Sequence, residues 1–391
     1  MSDPTRRPDD WTPPASAHPS QQSGQPPAWH PTQPSPAPYL QQYPQPGYGA
    51  PQSVPAGYPS PALPAPLPPT PALITGLPVE ERSFSGFYRA PRWRWWKPIL
   101  AVLLTVVVFV VFSTVLTVVG LVADGVDLMG LAADPDSLEI GPGLFLANNV
   151  ALALSIPTAM LVQWLFTGQR PRWLSSVQGR FRWGWFGLCA AIALPVWIVV
   201  LVVETLLTGV PPDVGVRPYT VVMVVGILLT TPFQAAGEEY AIRGLQQRLV
   251  ASYFPSDLVG FLAGALVTSW TFMLIHAAAD PWLNVYYFTF GVLTAWVTWR
   301  TGGLEAAVAL HVVNNLVSEA FLPFSDIGGM FDRSVGAADA TVLVNLAVMA
   351  GTTVLLAWLA RRRGIVRTAA PGRAEVERAH ALARSAWGPH S

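Results

Sequence analysis

Two adjacent carboxylates, Glu238 and Glu239, and two histidines, His276 and His311, lie in apolar stretches of this sequence. A charge at the centre of a bilayer costs about 2.5–3.5 kcal/mol even on the mildest insertion scale, so each such residue needs a partner or a purpose. Residues four apart share a helix face, and this spacing relates Glu239 to Arg243, Phe272 to His276, and His311 to Asn315. Glu238 is turned about 100° from its neighbour on a helix and is left for other work. If the three faces converge, one cavity holds a carboxylate, two imidazoles and a carboxamide. Such a set can activate a water and stabilise an oxyanion, ligate zinc across helices, or relay protons. The remaining histidines, His18, His30, His380 and His390, fall toward the chain ends. Glu204, Glu305 and Glu319 lack a same-face partner. Glu204 and Glu319 are expected to pack or to support the set, and Glu305 to lie at the membrane interface.

The elements that must position these residues are membrane helices. The chain has 391 residues, 51% hydrophobic and only 12% charged, against roughly 25% charged in a soluble domain. Apolar runs near the ~20 residues that a hydrocarbon core demands occur at about 98–122, 144–167, 184–208, 219–246, 257–279, 283–300, 303–322 and 339–360. The expected fold is therefore an all-α polytopic membrane protein with about eight transmembrane helices, its membrane domain spanning about residues 91–365. The lone Cys189 rules out an internal disulfide framework and a Cys-rich metal site. A net charge of zero leaves nucleic-acid binding without an electrostatic footprint, and no nucleic-acid partner is expected. No short apolar stretch follows a basic start, so no cleaved signal peptide is expected.

Residues 1–90 hold most of the 39 prolines, mixed with Gln, Ser, Ala and Tyr. A segment so poor in aliphatic periodicity cannot bury enough surface to offset its ordering entropy, and it is expected to be a disordered tail. Its proline content also suits a docking arm for a proline-binding partner. The stretch Arg92, Trp93, Arg94, Trp95, Trp96, Lys97 marks a membrane interface. Basic residues then recur on alternate connections: Arg170, Arg172, Arg180 and Arg182, next Arg243 and Arg248, then Arg300, and last Arg361, Arg362 and Arg363. The positive-inside rule assigns that side to the cytosol. Both termini are then cytoplasmic, including a C-terminal tail at 366–391, and a plasma (inner) membrane location is expected.

Glu238-Glu239-Tyr-Ala-Ile-Arg243 fits EExxxR, Phe272-Met-Leu-Ile-His276 fits FxxxH, and His311-Val-Val-Asn-Asn315 fits HxxxN. In this order, on successive membrane helices, the set resembles the CPBP family of intramembrane glutamic endopeptidases. That family includes the type II CAAX prenyl proteases and Abi or bacteriocin-immunity-like membrane proteins. The resemblance covers about residues 219–320 and implies a conical helix bundle with a cytosol-facing catalytic cavity. It implies Glu238 as general base polarising a water with His276, and His311 and Asn315 as the oxyanion hole. Glu239 and Arg243 would orient the site, and Phe272 would pack beneath His276. Asn314, beside Asn315, is an ambiguity that the four-residue spacing settles for Asn315.

The function implied is endopeptidase cleavage of a membrane-anchored peptide or protein, with no cofactor and no metal. Two alternatives stand beside it: a zinc-dependent intramembrane peptidase, and a non-catalytic immunity, scaffold or proton-coupled transport protein. By residue count His311 lies about eight residues past the turn near Gly302, hence ~12 Å from the cytosolic face. His276, about nineteen residues past Asp257, counts as deeper from that face.

Overall fold

The structure is a computed structural model that describes residues 75–134, 138–210 and 213–386. An uninterrupted run of Val, Leu and Phe makes α1, Lys97–Ala123, which opens behind the Trp-rich stretch with a proline in its first turn. Most of its side chains, among them Val106, Val107, Val110 and Val111, remain exposed, as suits a helix that faces lipid. The short α2, Leu128–Ala133, is capped by Asp127, which accepts from the Met129 amide. The next span is broken into α3, Pro142–Ala153, and α4, Ser155–Thr167. Asp124 caps α3, accepting from the amides of Gly143 and Leu144 at 2.6 and 2.7 Å.

Then follow α5, Trp183–Thr208, and α6, Thr220–Glu239, which passes through a π-helical segment, Tyr240–Gln246, into α7, Gln247–Ala251. The remaining helices are α8, Asp257–Ile275; α9, Pro281–Thr301; α10, Glu305–Ser318; α11, Val342–Arg362; and α12, Pro371–Ala386. Among the described residues, seven helical stretches are long and apolar enough to cross a membrane. They match seven of the eight expected runs. The eighth is α9, which has 21 residues, but Asn284, Tyr286, Tyr287, Thr289, Thr294, Thr298 and Arg300 dilute its apolar content. It is sheltered by protein, packing on α8, α10 and α11.

At the centre stands α10, whose residues Glu305 to Val313 are all buried. Ala306, Ala307 and Ala309 keep its surface low, so α5, α6 and α9 approach it closely.

The connections gather at two ends. At one end, the segment before α1 pairs with the chain after α11 as a two-stranded sheet, β1 (Arg82–Ser83) with β2 (Thr368–Ala369), in antiparallel register. Ser176 bridges Gly303 there, Arg248 donates to the Trp173 carbonyl at 2.8 Å, and Arg82 meets Asp257 at 3.1 Å. This is the basic end. At the other end, Thr220 donates to the Pro323 carbonyl, Asp280 accepts from the Gly336 amide, and Phe145 meets Phe331. The connections at that end carry Asp124, Asp127, Asp280, Asp326, Asp332 and Asp339 against only Arg217 and Arg333. This is the acidic end.

Two expectations need correction here. The disordered tail expected over 1–90 lies outside the described residues only as far as residue 74; beyond that the chain is packed. Phe84 and Phe87 are fully buried, and the Arg248 guanidinium lies 3.6 Å from the Phe84 ring centre. The tail's proline pattern hid a short aromatic anchor, Phe84-Ser-Gly-Phe-Tyr88. Glu305, expected at the interface, is fully buried and clasped by Arg182 through Nε at 2.8 Å and Nη2 at 2.6 Å. Its partner comes from a different connection, which same-helix spacing could not reveal.

Candidate functional site

Glu238 and Glu239 close α6, and the π-helical segment begins at the next residue. Single π turns widen a helix and recur at functional sites; here the widened turn carries Arg243. The face of α6 is pressed against α3, because a Cβ at Gly237 would collide with the Leu152 carbonyl oxygen. Only glycine allows that approach, which sets the height of Glu238 in the bundle.

The Glu239 carboxylate is fully buried. Its Oε1 accepts from Arg243 Nη1 at 3.0 Å and from His311 Nδ1 at 2.9 Å. A carboxylate only accepts, so Nδ1 of His311 carries the hydrogen. The opposite ring nitrogen, Nε2, then points at Glu238, 3.7 Å from Oε2. Glu238 Oε1 accepts from Gln234 Nε2 at 2.5 Å, while its buried Oε2 has no hydrogen-bond partner. The amide of Gln234 continues the chain: its Oε1 accepts from Asn315 Nδ2 at 3.0 Å. Asn314 is held elsewhere, its Oδ1 accepting from Trp197 Nε1 at 3.2 Å and the Tyr286 hydroxyl at 2.8 Å.

Phe272 forms the floor. Its ring stacks on Phe290 with centres 5.5 Å apart, meets His311 edge-on, and lies 4.4 Å from the Arg243 guanidinium carbon. His276, one turn on, holds Nδ1 at 2.6 Å from the Phe272 carbonyl oxygen, so Nδ1 bears the hydrogen and Nε2 is the open nitrogen. Its ring stacks on Tyr287 at 3.8 Å.

A cavity of about 660 Å³ is lined by Gln234, Glu238, His276, Asn314, Asn315, Tyr286 and Tyr287. All seven of the expected site residues therefore fall in one neighbourhood. Six are joined by direct contacts, His276 through Phe272, and Asn315 reaches Glu238 through Gln234. Glu319 also lines the cavity and accepts from Thr231 at 2.6 Å, and Thr231 in turn accepts from Asn149 at 3.1 Å. Gln234 was not anticipated, although it stands one helical turn before Glu238 on the same face. Tyr286, Tyr287 and Trp197 were not anticipated either, and nothing in their spacing marks them.

The cavity occupies the middle of the bundle and the half toward the acidic end. Its lining reaches from Phe109 and Met349 in mid-span to Ile275, Leu283, Phe331, Arg333 and Val342 toward the acidic end. The basic end is filled by Phe84, Phe87, Leu174, Leu304, Arg248 and the Arg182–Glu305 pair, all buried. His276 counts as deep from the basic end because it closes α8 at the acidic end.

Among the described residues, no group of three or more His, Cys, Asp and Glu side chains is arranged to hold a metal ion. The zinc alternative would need Glu238, His276 and His311 to converge through the Nε2 of each imidazole, since each Nδ1 is held by the Phe272 carbonyl or by Glu239.

The family model of the Rce1-like type II CAAX prenyl endopeptidases matches residues 219–317, which carry all seven of the expected site residues. That stretch is an Rce1-like CAAX endopeptidase (CPBP) domain, and a domain of this family implies an intramembrane protease. No curated protein and no solved structure matches the chain.

Proposed function

We propose that this protein is a glutamate-dependent intramembrane endopeptidase that hydrolyses a membrane-associated peptide by attack of an activated water. The observation that carries the reading is the unpartnered Oε2 of Glu238, buried in the cavity wall with His311 Nε2 3.7 Å away. A buried carboxylate oxygen without a donor needs one, and a water in the cavity supplies it. Glu238 takes a proton from that water as its oxygen bonds the scissile carbonyl carbon, and the open Nε2 of His276 accepts the water's other hydrogen. The electron pair displaced onto the carbonyl oxygen is met by two donors. One is the hydrogen of Asn315 Nδ2 that Gln234 does not use. The other is Nε2–H of His311 in its doubly protonated form, whose Nδ1–H is held by Glu239. Collapse of the tetrahedral species breaks the C–N bond, and the proton on Glu238 passes to the leaving amine. Preorganised donors of this kind are each worth about 10²–10³ in rate.

Glu238→Gln keeps the hydrogen-bonding shape of the side chain but cannot take a proton. Cleavage of a peptide substrate should fall by at least ~10²-fold, the lower range for loss of a general base, with the folded yield retained. His311→Ala should be similarly impaired. Full activity in both variants would reject the peptidase reading. Metal analysis of the purified protein with activity after chelation separates the zinc alternative, since stoichiometric zinc lost together with activity would sink the metal-free mechanism.

A further inference from the structure

We infer that Trp197 is a positioning residue of the site: its indole N–H fixes the orientation of three side-chain amides and so decides which oxygen of Glu238 can take a proton. Its part in cleavage rests on the peptidase reading, whereas the hydrogen-bond chain itself does not. Trp197 Nε1 at 3.2 Å and the Tyr286 hydroxyl at 2.8 Å both donate to Asn314 Oδ1. Asn314 Nδ2 donates to Asn315 Oδ1 at 3.1 Å, Asn315 Nδ2 to Gln234 Oε1 at 3.0 Å, and Gln234 Nε2 to Glu238 Oε1 at 2.5 Å. Every link points toward Glu238. An amide can be turned end for end, and a hydroxyl can donate or accept, but an indole N–H only donates. Trp197, buried on α5, is therefore the one member at that end of the chain that cannot be reversed. It commits Asn314 to present its oxygen, and each amide then commits the next. Trp197 lies outside the stretch 219–317 that the family model matches, so a helix beyond that domain sets the polarity of the amides within it.

Two steps of the reaction depend on that polarity. A chain that can only donate to Glu238 Oε1 keeps a proton off that oxygen. The proton taken from water must then bind Oε2, the oxygen without a protein partner, and from there it passes to the leaving amine. Asn315 is likewise held with Nδ2 rather than Oδ1 toward Gln234, which leaves its second N–H for the oxyanion. Reversing the three amides would let Oε1 carry the proton and donate it to Gln234, away from the reacting carbon. It would also turn Nδ2 of Asn315 toward Asn314. With Trp197 in place, that reversal sets an indole N–H against an amide N–H, and neither can accept. Asn314, which the four-residue spacing sets aside, thus carries the polarity from α5 to Asn315.

Infrared spectroscopy of the full-length protein in detergent reads the position of the proton without any substrate. The spectrum of each protein minus that of its Glu238→Gln counterpart, at a pH acid enough to protonate Glu238, isolates the carbonyl stretch of that carboxylic acid. In the parent this carbonyl is C=Oε1, which accepts from Gln234, and a single band at the lower, hydrogen-bonded frequency is expected. Trp197→Phe keeps the bulk but removes the N–H, and should add a second band at the higher frequency of a free carbonyl. Tyr286→Phe leaves the indole donor in place and should show the parent's single band. Asn314→Leu breaks the chain on a different helix and should add the same second band. A mere packing defect would lower the unfolding temperature without adding it. A single parent-like band in Trp197→Phe, or the second band in Tyr286→Phe, overturns the inference. With a palmitoylated, internally quenched peptide as probe, kcat of Trp197→Phe should fall by up to about 10²-fold, the lower range for loss of an oxyanion donor, with KM unchanged. The second band with an unchanged kcat would overturn the part of Trp197 in cleavage. The second band together with a fully active Glu238→Gln variant would overturn the peptidase reading and leave the amide polarity standing.

Discussion

At the scale of single residues the site is a relay of buried polar groups, and its stability and its chemistry share the same atoms. Glu239 holds both Arg243 and His311 through one oxygen. Arg243 is fully buried with Nε and Nη2 unpartnered, its guanidinium lying over Phe272. Removing one member of such a pair leaves an uncompensated charge, at a cost of roughly 3–5 kcal/mol, whereas removing both is far milder. Arg243→Met should therefore lower thermal stability strongly, and Glu239→Gln combined with Arg243→Met should recover much of the loss. Thermal unfolding of the purified variants in detergent, analysed as a double-mutant cycle, measures this; strictly additive effects would show that the two side chains do not act as a unit. The motif residues were legible in the sequence because four-residue spacing places each pair on one face. Gln234 obeyed the same rule toward Glu238 but belongs to no charged or aromatic pair, so nothing drew attention to it. The helical face points to Asn315 rather than Asn314, and in the structure Asn315 reaches Gln234, while Asn314 holds Trp197 and Tyr286 and donates to Asn315.

At the scale of elements, the helices that carry the site are placed by close backbone approaches rather than by large side chains. Gly237 sits against the Leu152 carbonyl, and a Cβ at Gly291 would fall 2.8 Å from the Ser269 Cα. These contacts pin α6 on α3 and α9 on α8. Gly237→Ala should force α6 outward and move the neighbouring Glu238 with it. Overpacking of this kind costs about 1–3 kcal/mol, and a displacement near 1 Å at a reacting group costs on the order of 10²-fold in rate. Gly187→Ala on α5 is the matched control, since a Cβ there meets nothing within 4 Å. Unfolding temperature and cleavage rate for the two variants decide the matter, and equal behaviour would remove the close-approach argument. The spans themselves were legible from apolar length. The weakest case, α9, shows the limit of that signal: a helix walled by other helices no longer needs an apolar surface, so Thr and Tyr replace Leu and hydropathy fades while length persists.

At the scale of the whole molecule the two ends differ in kind, and this was the least legible property. Counting residues from the basic turns measures depth but does not reveal which end is filled. The filling is done by irregular segments, Phe84–Tyr88 and the connection before α5, whose burial follows no helical or strand period. The acidic end is shaped by the connection between α10 and α11, which Asp280 ties to the start of α9. Its Oδ1 accepts from the amides of Trp282 and Leu283 at 2.8 and 3.0 Å, and its Oδ2 from Gly336 at 2.8 Å. Desolvation opposes the charged form of Asp280, but the amide hydrogens of Leu283, Gly336 and Trp282 outweigh it and hold the carboxyl below its ordinary value. A carboxyl depressed in the folded state contributes stability in full above its unfolded value, ~3.9, and that stability is lost as pH falls through the lower folded value. The tie should therefore stay intact from neutral pH down to about 4 and weaken only in stronger acid. Asp280→Asn removes the charge at every pH, so its connection should be loose even at neutrality. Hydrogen exchange at the Gly336 amide, with tryptic cleavage after Arg333 as a second readout, should show protection in the parent protein and its loss in the variant at pH 7. Equal protection in both proteins would mean that this connection is held by packing at Phe331 rather than by the Asp280 carboxylate.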